Sequence, residues 1–320
     1  MDFRTAIKID SLSEPIRHSD KLMLIGSCFS TNIGSRFTNA MIDALVNPLG
    51  TLYNPMSIAT AVERIAGCRL VEPDELFLAN GVWNSFDFHS SFSAADHDVA
   101  LQRMNEAITA AHSHLRECSY VFLTLGTAIT YSHSGTVVGN CHKLPAAQFE
   151  RSMRSVGEVT EALQSALCSL RSVNQGVKVV FTVSPIRHIA DGLAANSLSK
   201  STLRVAVGEI VATQPDCHYF PSYEIMLDDL RDYRFYASDM VHPSEVAVEY
   251  IWQQLLASCI DPADLPLIDR CERMTKRLRH RPMSDNAELV ARFRADTEAA
   301  LARLIAEQPH IAAVLHHSTE

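Results

Sequence analysis

The sequence has no apolar run near the roughly 20 residues that a membrane-spanning helix needs. Residues 1–20 mix acidic and basic side chains and have no apolar core, so they do not resemble a secretory signal. None of the eight cysteines forms a Cys-x-x-Cys pair, which argues against a zinc ribbon and a disulfide framework. We therefore expect a cytoplasmic protein with reduced cysteines and no bound metal.

The chain also lacks the basic excess that is typical of nucleic-acid-binding proteins. Its 28 Lys and Arg residues face 37 Asp and Glu residues, which gives a formal net charge of −9. We therefore expect no nucleic acid as a partner. A basic cluster at residues 276–281 is interpreted as a solvated helix face. Hydrophobic residues make up 47% of the 320 residues, enough for one large core.

Short apolar segments alternate with amphipathic ones along most of the chain. This alternation predicts a parallel sheet with helices on both faces. One long helix is predicted from Phe149 to Leu170 and another near 286–306. We expect residues 1–260 to form the α/β domain and residues 261–320 to form a C-terminal helical extension. The predicted strands are 21–26, 42–46, 120–125, 177–183 and 217–221.

Polar segments stand at or shortly after the carboxyl end of each predicted strand. Ligands of parallel α/β sheets gather at this edge, so five such segments together predict a site there. The residues concerned are Ser27 and Cys28, Asn47 and Gly50, Gly126 and Thr127, Ser184, Arg187 and His188, and Asp239 and His242.

Cys28 is the candidate nucleophile. It follows a buried strand and Gly26, and a helical pattern begins directly after it. A cysteine at the positive end of a helix is exposed above the sheet, and the helix dipole favours its thiolate form. The alternative is a buried structural cysteine.

Asp239 and His242 supply the expected partners of such a nucleophile. The Asp-x-x-His spacing places the carboxylate and the imidazole within one turn, so Asp239 can hold one ring nitrogen. The other nitrogen of His242 can then take a proton from Cys28. Alternatively, an Asp that caps a helix beside a surface His gives the same pattern.

These residues resemble two nested families. The sequence Gly26-Ser27-Cys28-Phe29-Ser30 is similar to the Gly-Ser-Cys-Phe-Ala motif that names the GSCFA family. The Asp239-x-x-His242-Pro segment after a strand-one nucleophile resembles the broader SGNH (GDSL-like) hydrolase superfamily. The resemblance covers about residues 1–255 and includes the further segments 47–55, 88–90, 140–143, 184–188 and 239–252.

The resemblance implies a flavodoxin-like three-layer sandwich with a five-stranded parallel sheet in the order 2-1-3-4-5. For the broad family it also implies acyl-ester hydrolysis or transfer, often on carbohydrates. We therefore predict an esterase for O-acyl esters, acetyl esters above all, of a saccharide-like substrate, with no cofactor. The alternatives are an acyl-CoA-dependent O-acyltransferase and a non-catalytic binding protein on the same fold.

Two positions depart from the broad family's pattern. Cys28 stands where that family has its nucleophilic Ser, so a thioester intermediate would replace an ester. The Gly-x-Asn-Asp segment of that family appears here as Gly126-Thr127-Ala128-Ile129, without the Asn that donates to the oxyanion. Thr127 or Asn140 could replace it, beside the N–H groups of Cys28 and Gly50.

The other candidate residues have two interpretations each. Ser27 is an alternative nucleophile to Cys28. Arg187 and His188 either bind an anionic substrate group, or Arg187 pairs with a surface carboxylate. Two histidines, His89 and His142, are interpreted as structural or substrate-contacting, and Asn47 as a substrate-side loop residue.

Overall fold

The computed structural model describes residues 5–281, 283 and 286–317. Residues 1–4 of the predicted domain and residues 282, 284, 285 and 318–320 of the predicted extension therefore lie outside the described residues. The strands are β1 (Lys21–Gly26), β2 (Asp43–Val46), β3 (Phe77–Ala79), β4 (Val82–Asn84), β5 (Tyr120–Leu125), β6 (Ile129–His133), β7 (Thr136–Val138), β8 (Glu150–Met153), β9 (Lys178–Val183) and β10 (Cys217–Tyr219).

The helices fill the connections between these strands and the end of the chain. They are α1 (Cys28–Asn39), α2 (Pro55–Ala66), α3 (His97–Leu115), α4 (Val156–Val173), α5 (Leu193–Thr213), the single turn α6 (Ser222–Glu224), α7 (Glu245–Cys259), α8 (Leu265–Arg279), α9 (Ala287–Glu307) and α10 (His310–His317). None of the helices in the described part of the chain is both long enough and apolar enough to cross a membrane.

Five strands form the central sheet in the order β2-β1-β5-β9-β10, and all neighbours are parallel. This is the predicted order 2-1-3-4-5, which is thereby confirmed. Helices α2 to α5 cover one face, and α1 and α7 cover the other. The protein is thus a flavodoxin-like α/β sandwich of three layers.

Strand β1 shows why the buried strands appear in the sequence as continuous apolar runs. Met23 and Ile25 face the core under α2 to α5, whereas Leu22 and Leu24 face the core under α1 and α7. Because side chains alternate between the two faces, a strand covered on both sides needs apolar residues at every position.

The predicted helix from Phe149 to Leu170 is wrong at its beginning. Strand β8 pairs there in antiparallel fashion with β6, which also pairs with β7. Helix α4 begins only after Ser155, whose side chain accepts from the N–H of Glu158, while the Glu158 side chain accepts from the N–H of Ser155. This capping box fixes the start of the helix, and the residues before it are free to extend the small sheet.

Helices α8, α9 and α10 gather around a separate small core that includes Met41 of the sandwich. The indole N–H of Trp252 on α7 donates to Glu272 on α8 at 3.0 Å. The helix predicted near 286–306 is confirmed as α9. The division of the chain at residue 260 stays a prediction.

Candidate active site

The turn between β1 and α1 presents Cys28 at the edge of the sheet. Gly26 has a φ of +148°, and a Cβ at this position would lie 2.2 Å from the carbonyl oxygen of Thr124 on β5. Only glycine therefore permits this close approach of the two strands. Ser27 then caps α1, because its hydroxyl accepts from the N–H of Phe29 at 3.3 Å. Cys28 is the first residue of the helix.

Asp239 holds His242 in one orientation. Carboxylate oxygen Oδ2 lies 2.6 Å from Nδ1 of His242, and Oδ1 accepts the main-chain N–H groups of Val241 and His242 at 2.9 and 3.0 Å. The N–H groups of His242 and Val241, followed by the imidazole, lower the pKa of Asp239 to about 2. The carboxylate is therefore ionised across the neutral range, and it fixes the ring with Nε2 turned away from it.

Cys28 and His242 line one cavity of about 320 Å³. The sulfur of Cys28 lies 4.0 Å from Nε2 of His242, at the outer limit for a hydrogen bond to sulfur. The structure therefore brings together the three residues that the sequence proposes as nucleophile, base and orienting acid. The other residues that line the cavity are Tyr53, Asn54, Thr127, Ile129, Tyr131, Val138, Gly139, Cys141, Ile186, Arg187, His188 and Val241.

Burial raises the pKa of the Cys28 thiol above its usual value. The N–H groups of Cys28 and Phe29 and the charge of Lys200 act in the opposite direction. The helix N-terminus therefore lowers the pKa of the thiol as expected, but desolvation of the sulfur raises it by more. At neutral pH the thiol form of Cys28 is therefore favoured over the thiolate.

Arg187 and His188 both line the cavity. The guanidinium of Arg187 lies 4.3 Å from the ring centroid of Tyr236 and donates to the hydroxyl of Tyr233. No carboxylate among the described residues pairs with Arg187, so the alternative of a surface ion pair is wrong for this part of the chain. Burial, and then the charge of Lys200, lower the pKa of His188 to about 4, which keeps it neutral at pH 7.

Lys200 is a functional candidate that the sequence reasoning missed. It lies on α5 and is only 1% exposed, and its ammonium donates to the carbonyl oxygens of Gly126 and Ser184 at 2.6 and 2.7 Å. Both carbonyls follow directly after a central strand. Lys200 occupies the same helical stripe as the buried residues Leu203 and Val207. A lysine on the apolar stripe of a helix is the signal that could have revealed it.

Three predicted substrate-side residues instead build the loops around the cavity. Ser27 is buried and serves as the helix cap. Asn47 accepts from the N–H of Gly26 and donates to Thr31. Gly50 cannot offer its N–H to an oxyanion, because this group donates to the carbonyl of Asn47 at 2.7 Å. Its φ is +89°, and a Cβ there would lie 2.1 Å from Cβ of His89.

Thr127 and Asn140, proposed as replacements for the missing oxyanion donor, are both held by neighbours. Thr127 lines the cavity, but its hydroxyl accepts from the N–H of Ile129 and shares a hydrogen bond with Ser199. Asn140 accepts the N–H of His142 through its side-chain oxygen, and it is not among the residues that line the cavity. Both side chains thus stabilise the loops that carry them.

His89 and His142 lie outside the lining of the cavity. Nδ1 of His89 accepts the N–H of Ser91 and so caps a short turn. Nε2 of His142 contacts the carbonyl oxygen of Ser85 at 2.7 Å, and burial lowers the pKa of its imidazole. Both fit their structural interpretation. Among the described residues, no group of three or more His, Cys, Asp and Glu side chains could hold a metal ion.

A model of the GSCFA family matches residues 21–255. The chain belongs to the GSCFA family. The GSCFA match begins with β1 and ends within α7, so the Cys28, Asp239 and His242 constellation lies inside it. Helices α8 to α10 follow it.

Comparison with curated proteins gives no match. Solved structures similar to this GSCFA chain include a carbohydrate esterase family 3 from Talaromyces cellulolyticus, at 13% identity and a TM-score of 0.36, over 78% of this chain and 99% of that one. A family 3 carbohydrate esterase from Clostridium thermocellum has 10% identity and a TM-score of 0.36, over 78% and 98%. An acetyl xylan esterase from Butyrivibrio proteoclasticus has 12% identity and a TM-score of 0.40, over 76% and 64%.

Proposed function

We propose that this GSCFA protein is an SGNH-type enzyme that cleaves O-acyl esters through Cys28, His242 and Asp239. One observation carries the proposal: Cys28 Sγ faces Nε2 of His242 at 4.0 Å, while Nδ1 of the same ring contacts Asp239 at 2.6 Å, at the wall of one cavity. This is the arrangement of nucleophile, general base and orienting carboxylate that acyl transfer requires.

The first half of the reaction acylates the enzyme. The Cys28 sulfur attacks the ester carbonyl carbon as its proton passes to Nε2 of His242, and a tetrahedral intermediate forms. The C–O bond to the alcohol then breaks, and His242 returns the proton to the departing oxygen. The products are the free alcohol and a thioester on Cys28. Because Cys28 rests as a thiol, His242 must act as a true base in this step.

The second half releases the acyl group. Water attacks the thioester carbonyl while His242 accepts its proton, and the carbon–sulfur bond breaks. The proton then returns to the sulfur, and a carboxylic acid leaves. The negative charge of Asp239 stabilises the imidazolium that exists between the two proton transfers.

The N–H of Cys28 is the donor we assign to the oxyanion. As the first residue of α1 it has no acceptor within the helix, and the positive end of the helix dipole lies there. Gly50 and Thr127 do not add to it, because their polar groups are already bonded. A site with one strong donor less than usual works more slowly, by about 10²–10³-fold per donor.

The cavity suits a short acyl group on an amphipathic alcohol such as a sugar. Its volume of about 320 Å³ is at the small end for ligand sites. Tyr53 and Tyr131 line it, and a tyrosine combines an apolar ring with a polar hydroxyl, which suits the apolar faces and hydroxyl edges of a saccharide. Arg187, free of a carboxylate among the described residues, can bind an oxygen-rich or anionic group.

The test offers p-nitrophenyl acetate to the wild type and to two histidine variants. His242→Ala should remove most of the turnover, since the base is lost. His89→Ala is the matched control, because His89 lies outside the cavity lining, and it should keep the wild-type rate. Nitrophenol release that survives His242→Ala unchanged would place the activity elsewhere.

Transfer to an acceptor is a second candidate function. Four aliphatic side chains line the cavity, namely Ile129, Val138, Ile186 and Val241. Such walls offer an apolar surface to an organic acceptor, which can then compete with water for the thioester. The wild type is given acetyl-CoA with and without a mixture of saccharides. Release of CoA only when saccharide is present supports a transferase, whereas ester cleavage without any acceptor supports a hydrolase.

A further inference from the structure

Lys200 is a buried cation at the sheet edge that carries the active site. Its acceptors, the carbonyl oxygens of Gly126 and Ser184, follow β5 and β9 directly. Strand β5 pairs with β1, whose end leads into Cys28. The helix α5 thus places one positive charge against the same edge from which the nucleophile projects.

No carboxylate among the described residues compensates this charge. The titratable groups that face it are Cys28, His188 and Tyr223, whose ring centroid lies 5.8 Å from the Lys200 ammonium. Burial lowers the pKa of Lys200 to about 7, and the charge of a Cys28 thiolate opposes this shift. A buried ammonium destabilises the folded protein unless an anion is near it. The one facing group that becomes an anion during the proposed reaction is Cys28.

We propose that Lys200 is a positioning residue of this site, whose buried charge favours the ionised form of the Cys28 sulfur. The inference rests on the proposed function, in which Cys28 is the nucleophile. The two carbonyl oxygens fix the ammonium without neutralising it, so its field remains available to the sulfur. Below neutral pH Lys200 keeps its proton, and Cys28 then gives up its own proton to His242 more readily.

The test follows the rate of iodoacetamide alkylation of Cys28 against pH by peptide mass spectrometry. Wild type is compared with Lys200→Met, which has similar length and no charge, and with Lys200→Gln, whose amide keeps N–H donors for the carbonyls. We expect both variants to react about 10-fold more slowly than wild type at pH 6.5. Above pH 9 the three rates should converge, because wild-type Lys200 has then lost its proton.

The exposed Cys168 serves as the internal control, and its alkylation should not change between the proteins. A merely structural role predicts another outcome. Lys200→Gln would then restore the wild-type rate, or the variants would differ from wild type by the same factor at every pH. Either result overturns the inference.

A second measurement leaves Lys200 in place, in case its variants do not fold. Coupling between two ionising groups is reciprocal, so a permanent negative charge at position 28 must raise the titration midpoint of Lys200. The NMR shift of the Lys200 Cε is followed against pH in two samples of the wild type, one alkylated at Cys28 with iodoacetate, which leaves a carboxylate, and one alkylated with iodoacetamide, which leaves a neutral amide. A higher midpoint in the iodoacetate sample supports the inference, and equal midpoints contradict it.

These outcomes are separable from those of the proposed function. Cys28-dependent ester cleavage with unchanged midpoints would keep the function and reject the role of Lys200. Shifted midpoints without any ester cleavage would keep the coupling and reject the function.

Discussion

Arg64 and Lys200 are both buried cations, 4% and 1% exposed, but their surroundings differ. Arg64 on α2 forms ion pairs with Glu75 and Asp87, at 2.5 and 2.9 Å. Lys200 has only main-chain carbonyl oxygens as acceptors among the described residues. A cation that is neutralised within the fold stabilises the fold. A cation that is held but not neutralised can act on a charge that appears during a reaction.

Replacement of Arg64 should give the largest change in stability. Arg64→Met leaves Glu75 and Asp87 without their partner, and breaking a buried pair costs 3–5 kcal/mol. Since the two carboxylates remain 35% and 25% exposed, we expect a loss of about 2 kcal/mol. Urea denaturation measures it.

The same Arg64→Met variant should leave the alkylation profile of Cys28 unchanged, because Arg64 faces carboxylates rather than the sulfur. If Arg64→Met were stable but its alkylation profile of Cys28 were shifted, Arg64 and Lys200 would not differ in their effect on the sulfur.

Replacement of Lys200 should instead change how stability depends on pH. Between pH 7 and pH 10 the folded wild type has released the Lys200 proton, while the unfolded chain still binds it. Unfolding then takes up a proton, so the free energy of unfolding rises with pH. Relative to Lys200→Met, the wild type should gain at most about 1.4 kcal/mol per pH unit in this range.

The matched control is Arg64→Met. Its free energy of unfolding should differ from that of the wild type by the same amount at every pH between 7 and 10. Urea denaturation at several pH values checks both. If the free energies of unfolding of wild type and Lys200→Met differed by the same amount at every pH, Lys200 would have an ordinary pKa in the folded protein.

The smallest effect is expected from replacement of Ser27. This residue stabilises the fold, whereas its neighbour Cys28 is the proposed nucleophile. Ser27→Ala removes the helix cap and should lower stability by about 1 kcal/mol. Ester cleavage should continue, because Cys28 and not Ser27 is the proposed nucleophile. Thermal unfolding and nitrophenol release from the one variant test both statements. If Ser27→Ala abolished turnover in a folded protein, Ser27 would be the nucleophile.

The order of the sheet was predictable because the buried strands are apolar on both faces and right-handed crossovers leave few arrangements. The proximity of Cys28, Asp239 and His242 was also predictable, since strand ends meet at one edge and the Asp-x-x-His spacing is local. The capping box of Ser155 and Glu158 was visible too, and it would have corrected the start of α4.

Other features depend on contacts that no local pattern contains. The conformation of one loop makes the N–H of Gly50 donate to the carbonyl oxygen of Asn47. Lys200 stands on the apolar stripe of α5, but its acceptors, the carbonyl oxygens after β5 and β9, become apparent only when α5 is packed against these strands. The pKa of Cys28 depends on how much burial opposes the helix N-terminus, and burial is a property of the whole fold.

The central claim is that Cys28 carries the acyl group, and an acyl-enzyme trapped by rapid acid quench tests it most directly. The protein is mixed with p-nitrophenyl acetate, quenched and digested, and the peptide that contains residues 27 and 28 is analysed by mass spectrometry. We predict one acetyl group on this peptide, which neutral hydroxylamine removes because it is a thioester, and none in Cys28→Ala. An acetyl group that resists hydroxylamine or persists in Cys28→Ala would contradict the account.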